Sequence, residues 1–170
     1  MGDFIKRLAT ASHQNSMRGF QVLSHRDVAR LEAFFLTFDF DRRRKYFGGG
    51  MSDAAIRQFW LTIRWSETTV IVRANASDLA AIAVLTAPAG QRIAELSIAC
   101  APSCDGSATV ADLLDLALTV ASLSYSELTV HRACATPDLL TLLDCSPSTA
   151  SSDDVIRIAV PSCSASIIAC

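Results

Sequence analysis

The sequence predicts an α+β fold, one mixed and mostly antiparallel sheet with helices on both faces. Short β-prone runs alternate along the chain with amphipathic helical segments. Three of those runs, TTVIVRA, LAAIAVLTA and RIAELSIAC, are separated only by the turn signals NASD and PAG, connections that join antiparallel neighbours. A further run, ELTVHRA, is entered from a helix and so lies parallel to the strand before it. With 170 residues, 51% of them hydrophobic, the chain has the size of one domain and enough apolar material to fill its core.

Taken in order, residues 1–18 read as a flexible arm ahead of a folded domain spanning 19–170. That arm has no apolar run of signal-peptide length, and Lys6 breaks the myristoylation pattern. FQVL from Phe20 is a strand. Ser24, with Asp27 three residues on, forms a capping box for a first helix whose Val28, Leu31, Phe35 and Phe38 recur at helical spacing as core residues. A basic run, Arg42 to Lys45, then leads through Gly48–Gly50 to Ser52, the N-cap of a second helix, SDAAIRQFWLTI. No Gly-Lys-Ser/Thr follows the glycines, so this is not a P-loop. Hinge, solvated basic turn and loop closing over a ligand all remain readings of it. After the three strands, a third helix runs from about Thr109 to Leu123, with Val110, Leu113, Leu114, Ala117, Leu118 and Ala121 on its apolar face. ELTVHRA follows, then a fourth helix opened by Thr136 as cap and Pro137 at its first position, then the strand VIRIAV. The tail around Ile167–Ile168 can add a last strand.

Composition excludes several functions. A formal net charge of −2 gives no footprint for nucleic acid. None of the six cysteines forms a C-x-x-C pair, so no metal site is expected. Reduced thiols and the lack of a spanning segment point to a cytoplasmic protein without a membrane partner. There is no Gly-x-Ser-x-Gly elbow, dinucleotide fingerprint or helical His-Glu-x-x-His.

The stretch CAPSCDGSATVADLL, Cys100 to Leu114, carries most of the chemistry. It passes from strand through a small-residue turn into a helix, a junction that presents free N–H groups and a helix dipole to an anion. Asp105 stands in that turn. A helix N-terminus favours an anion by about 0.3–1 kcal/mol, or up to ~2 kcal/mol when partly buried. A carboxylate about 4 Å from a phosphate would oppose it by about 4 kcal/mol at an effective dielectric of 20. Asp105 therefore defeats the site if it points inward, and spares it if it faces solvent or caps the helix.

From Phe20 to Val160 the order of elements resembles the GNAT superfamily of N-acetyltransferases. The resemblance rests on the N-terminal helices joined through RRRKYF, on the strand AELSIACAP and on the helix that follows. Cys100-Ala101-Pro102 matches the family's hydrophobic-x-Pro step, and Leu113-Leu114 match its leucine pair without a gap. Between them the turn departs from the family's Arg/Gln-x-x-Gly-x-Gly/Ala: Asp105 replaces the Arg or Gln, Ala108 the first glycine and Val110 the second small residue. Only Gly106 keeps the loop's usual character, while Val110 brings β-branched bulk close to the path of a ligand.

The resemblance implies acetyl-CoA as co-substrate, held by Ile98, Ala99 and Cys100 of the strand and by Asp105, Gly106, Ser107, Ala108, Thr109 and Val110 of the turn and helix. It implies Glu95 as general base, or else a strand glutamate with a structural partner. The family's tyrosine acid falls in the fourth helix, where Leu143 stands, and Cys145-Ser146 replaces the usual Gly-Phe; His131 either substitutes as acid or serves only the structure. The acceptor is an amine of a small molecule or of a protein, seated between the first two helices and the sheet, and a homodimer is compatible with the chain. Two other functions fit the eroded turn: a catalytically inactive GNAT-like module that binds a ligand or partner, and an interaction role through Arg42–Lys45.

Overall fold

Among the described residues, seven strands form one sheet in the order β1-β2-β3-β4-β5-β7-β6. They are β1 (Phe20–Leu23), β2 (Thr68–Asn75), β3 (Asp78–Thr86), β4 (Ile93–Cys100), β5 (Glu127–His131), β6 (Thr149–Ser151) and β7 (Val155–Ala159). Neighbours are antiparallel except β4 and β5, which run parallel. The computed structural model describes residues 19–75, 78–104, 106–145, 149–152 and 154–161. The expected arm 1–18, Asp105, Ser146 and the strand expected around Ile167–Ile168 lie outside the described residues.

Two apolar cores, one on each face, follow from the period-2 alternation of the strands. On one face Ala81, Ala83, Leu85, Ala94, Leu96, Ile98, Leu128, Val130, Ile156 and Ile158 meet α4 (Gly106–Ala121) and α5 (Pro137–Asp144). The alanines at the middle of β3 leave α4 room to settle close to the sheet. On the other face Val70, Val72, Ile82, Val84 and Ala99 meet α1 (Val28–Leu36), α2 (Phe40–Phe47) and α3 (Asp53–Thr62). Phe35, fully buried, packs its ring against those of Phe34, Phe38, Tyr46, Phe47 and Trp60. The sheet carries helices on both sides, the architecture expected from the sequence.

Several expectations need correction. RRRKYF is helix rather than turn or hinge, so the described residues of the first half hold three α-helices where two were expected. Asp39 accepts a hydrogen bond from the Arg42 N–H at 2.8 Å as N-cap, and Gly48 ends the helix in the left-handed conformation at φ 69°. Arg and Lys are good helix formers, so those two caps outweigh the near-absence of an apolar face. The third expected helix begins at Gly106, three residues before Thr109, and ends at Ala121 rather than Leu123. Small residues read as a turn there can equally occupy an exposed first helical turn. A short strand not anticipated from the sequence, β6, pairs with β7. Phe38 lies past the end of α1 yet remains buried. The Ser24–Asp27 capping box forms as expected, around a single 3₁₀ turn that leads into α1.

Candidate active site

The register of β4 explains where a site can form. It pairs with β3 along Glu95–Cys100, but with β5 only at Ile93, Ala94 and Glu95. Beyond Glu95 and Thr129 the two parallel strands part, and a 3₁₀ turn, Arg132–Cys134, carries the chain away. A strand edge released in this way offers its backbone N–H and C=O groups to something else. Glu95, Ser97, His131 and Cys134 line the gap.

The gap opens into a cleft of about 370 Å³, within the range of small-molecule sites. Its floor is Ile98, Ala99 and Cys100 of β4, continued by Ala101, Pro102, Cys104 and Gly106 into the start of α4. Thr136, Pro137 and Asp138 of α5 form one wall, and Phe38 with Arg42, Lys45 and Tyr46 of α2 forms the other. On a helix those last three, at i, i+3 and i+4, share one face.

Arg43 holds that wall in position. Its guanidinium donates to the carbonyls of Phe38 (2.9 Å), Leu36 (3.2 Å) and Met51 (3.4 Å), and to the Asp53 carboxylate at 2.6 Å. It thereby satisfies carbonyls where α1 ends and ties both flanking helices to α2. Arg43 points inward, and Arg42 and Lys45 are left for the cleft.

At the sheet end, Glu95 and His131 come together, the His131 Nε2 lying 3.9 Å from a Glu95 carboxylate oxygen. Both side chains are about half exposed, at 55% and 49%. They sit on the face that α1–α3 leave uncovered beyond β4. Two residues along β4, the Ser97 and Tyr46 hydroxyls meet at 3.0 Å. Burial holds the Tyr46 phenol well above its ordinary range, against the Ser97 hydrogen bond, and Cys134 and Glu95 reinforce the shift. In the same cleft, burial, with Cys104 and Asp138 nearby, pushes the Cys100 thiol up to about 12. Cys134 is raised too, first by burial and then by Glu95.

The residues singled out for acetyl-CoA divide. Ile98, Ala99, Cys100 and Gly106 line the cleft. Ser107 and Ala108 are exposed on the first turn of α4. Thr109 turns inward, accepting a hydrogen bond from Arg73 at 2.8 Å, and Val110 is fully buried in the core. The bulk of Val110 therefore lies beneath the helix and not among the residues lining the cleft. Leu143, at the position of the family's tyrosine, is buried in the same core. Asp138 was not singled out, yet its carboxylate lies so near Gly106 that a side chain there would collide with it.

Sequence reading missed Tyr46 and Asp138 as site residues, and offered Arg42 and Lys45 only within a basic run that could close over a ligand or meet a partner. Treating FDRRRKYF as a helix and reading its i, i+3, i+4 face would have brought Arg42, Lys45 and Tyr46 together.

No protein-family profile and no curated protein matches the chain by sequence. Solved structures do match. The GNAT domain of S. lividans PAT superposes with a TM-score of 0.61 at 14% identity, covering 82% of this chain and 87% of that one. A GNAT-family acetyltransferase from Streptococcus pneumoniae gives 0.60 at 13%, covering 84% and 99%. A spermidine N-acetyltransferase from Vibrio cholerae, solved with CoA and spermine, gives 0.61 at 15%, covering 84% and 96%. Parted parallel strands, helices on both faces and these superpositions agree: the chain has the fold of the GNAT acetyltransferases.

Proposed function

We propose that this protein is a coenzyme A-dependent N-acetyltransferase, acting on an amine of a small molecule or of a protein. The observation that carries the reading is the 370 Å³ cleft that opens where β4 and β5 part and runs to the first residue of α4. An extended acyl donor would add its amide groups to the released edge of β4, as a peptide adds to a sheet edge. Its phosphates would lie toward α4, with Arg42 and Lys45 alongside. Those two cations oppose the carboxylate that Asp138 brings to this end.

Glu95 would take the proton from the acceptor ammonium, either directly or through water, and His131 beside it would hold or relay that proton. The open face beside the two residues would receive the acceptor. The Vibrio cholerae relative carries spermine in its structure, and a polyamine is one acceptor to try here.

The Asp138 carboxylate against Gly106 favours a second reading, a GNAT-like module whose own acidic group discourages an anion at α4 and which binds a different ligand or partner. Calorimetry with acetyl-CoA separates the two: micromolar binding is expected for the transferase, and no heat at millimolar acetyl-CoA would leave the module.

A further inference from the structure

The transferase reading needs a proton for the departing thiolate, and α5 supplies no phenol for it, since Leu143, buried in the core, stands where the family's pattern has its tyrosine. The described residues lining the cleft hold one hydroxyl of the required kind on a different element. Tyr46 reaches the cleft from α2, with its hydroxyl 3.0 Å from Ser97 Oγ on β4. Phe35 and Phe47 pack against its ring, at centroid distances of 4.8 and 4.9 Å, and fix its direction. Ser97 and Glu95 lie two residues apart on one face of a strand, a separation of about 7 Å. A reacting carbonyl can therefore sit between the hydroxyl pair and the carboxylate–imidazole pair.

We propose that Tyr46 is the general acid of the transferase, protonating the leaving sulfur from the helix opposite the one the family's pattern implies. The proposal rests on the acetyl-transfer reading above. Either hydroxyl of the pair can donate, and when Ser97 donates to the phenolic oxygen the Tyr46 proton is free to point into the cleft. The amine loses its ammonium proton to Glu95 and attacks the thioester carbonyl. As the tetrahedral adduct collapses, the C–S bond breaks and the sulfur takes the Tyr46 proton. The nitrogen gives its second proton to water, Tyr46 recovers one from solvent through the open side of the cleft, and Glu95 releases the proton it took to solvent. The sum is amide, free thiol and one proton released.

Burial keeps the Tyr46 phenol protonated at neutral pH, so its proton is in place when the C–S bond breaks.

The test begins with calorimetry of acetyl-CoA on the wild-type protein and on Tyr46→Phe, followed by thiol release from acetyl-CoA with spermidine, a lysine peptide and free amino acids. We expect the dissociation constant to be unchanged within about twofold and kcat to fall about 100-fold in Tyr46→Phe. Installing a ring-difluorinated tyrosine at position 46 should keep kcat near wild type at neutral pH and move the alkaline limb of its pH profile downward. A structural role for Tyr46 would leave that limb in place. Full turnover in Tyr46→Phe, or a loss confined to binding, overturns the assignment and leaves the transferase standing. A wild-type protein that binds no acetyl-CoA, or binds it and releases no thiol, overturns both. Ser97→Ala guards against misfolding of the Tyr46 variants: it leaves the aromatic packing intact and should lower kcat about fivefold by freeing the phenol to rotate.

Discussion

The two faces of the sheet do different work. The face under α4 and α5 is covered by Ala, Leu, Ile and Val, with its charged groups at the margin, such as Arg73 bridging to Asp112 at 3.8 Å. The face under α1–α3 is aromatic and fastened by an arginine, and it stops short of β5 and β7, leaving Glu95, His131 and the cleft in the open. One face is built to be filled and the other to be left unfinished. Unused backbone and half-exposed titratable groups collect at the margin of the second, as expected of a site on a rigid frame.

Paired substitutions can break this contrast. Leu113→Ala, in the filled face, should cost about 2–5 kcal/mol in urea unfolding through the cavity it leaves. Arg43→Ala should cost about 2 kcal/mol, mainly through the orphaned carbonyls, the pair with the exposed Asp53 carboxylate adding little. The two should part in binding: at temperatures where both variants are folded, Leu113→Ala keeps its acetyl-CoA affinity while Arg43→Ala loses most of it. Equal effects on binding would mean that α2 does not shape the cleft.

A smaller effect sharpens the balance of charge at the phosphate end. Asp138→Asn should strengthen acetyl-CoA binding about fivefold, roughly 1 kcal/mol for one removed repulsion in a hydrated setting. Arg42→Gln should weaken it by a similar factor, and raised salt should shrink both differences. An Asp138→Asn protein with unaltered affinity would remove that carboxylate from the argument.

The smallest effect lies at the far edge. Burial alone would raise the Asp27 carboxyl, but the Ser24 hydrogen bonds and Arg30 bring it below its ordinary value. Because the folded value is depressed, its contribution is complete above the ordinary carboxylate range and is lost as pH falls through it. Acid titration of stability should show this loss below about pH 4, and Asp27→Asn should abolish that part of the slope.

Much of the frame was legible in the sequence. Period-2 runs with tight turns between them define β2–β4, and capping residues mark α1, α3 and α5 at Ser24, Ser52 and Thr136. The charged helix α2 escaped because periodicity searches follow apolar residues, and FDRRRKYF places polar ones on its functional face. β6 escaped because three residues carry too little pattern to register. Of the site, Glu95 and the floor from Ile98 to Cys100 were reached through the family resemblance carried onto β4, and strand pattern alone would not have marked them. Tyr46 and Asp138 reach the cleft only by tertiary folding, across 51 residues in the case of the Tyr46–Ser97 contact.

The Arg43 anchorage has a consequence for affinity. A helix of eight residues is too short to persist by itself in water, so the wall bearing Arg42, Lys45 and Tyr46 depends on its tertiary anchors, the Arg43 guanidinium and the rings of Tyr46 and Phe47. Any loosening there is charged against every ligand of the cleft, since only the fraction of molecules with the helix docked is competent to bind. Conversely, a bound occupant should lock the helix down, and amide exchange in residues 40–47 would register occupancy even with no chemistry taking place.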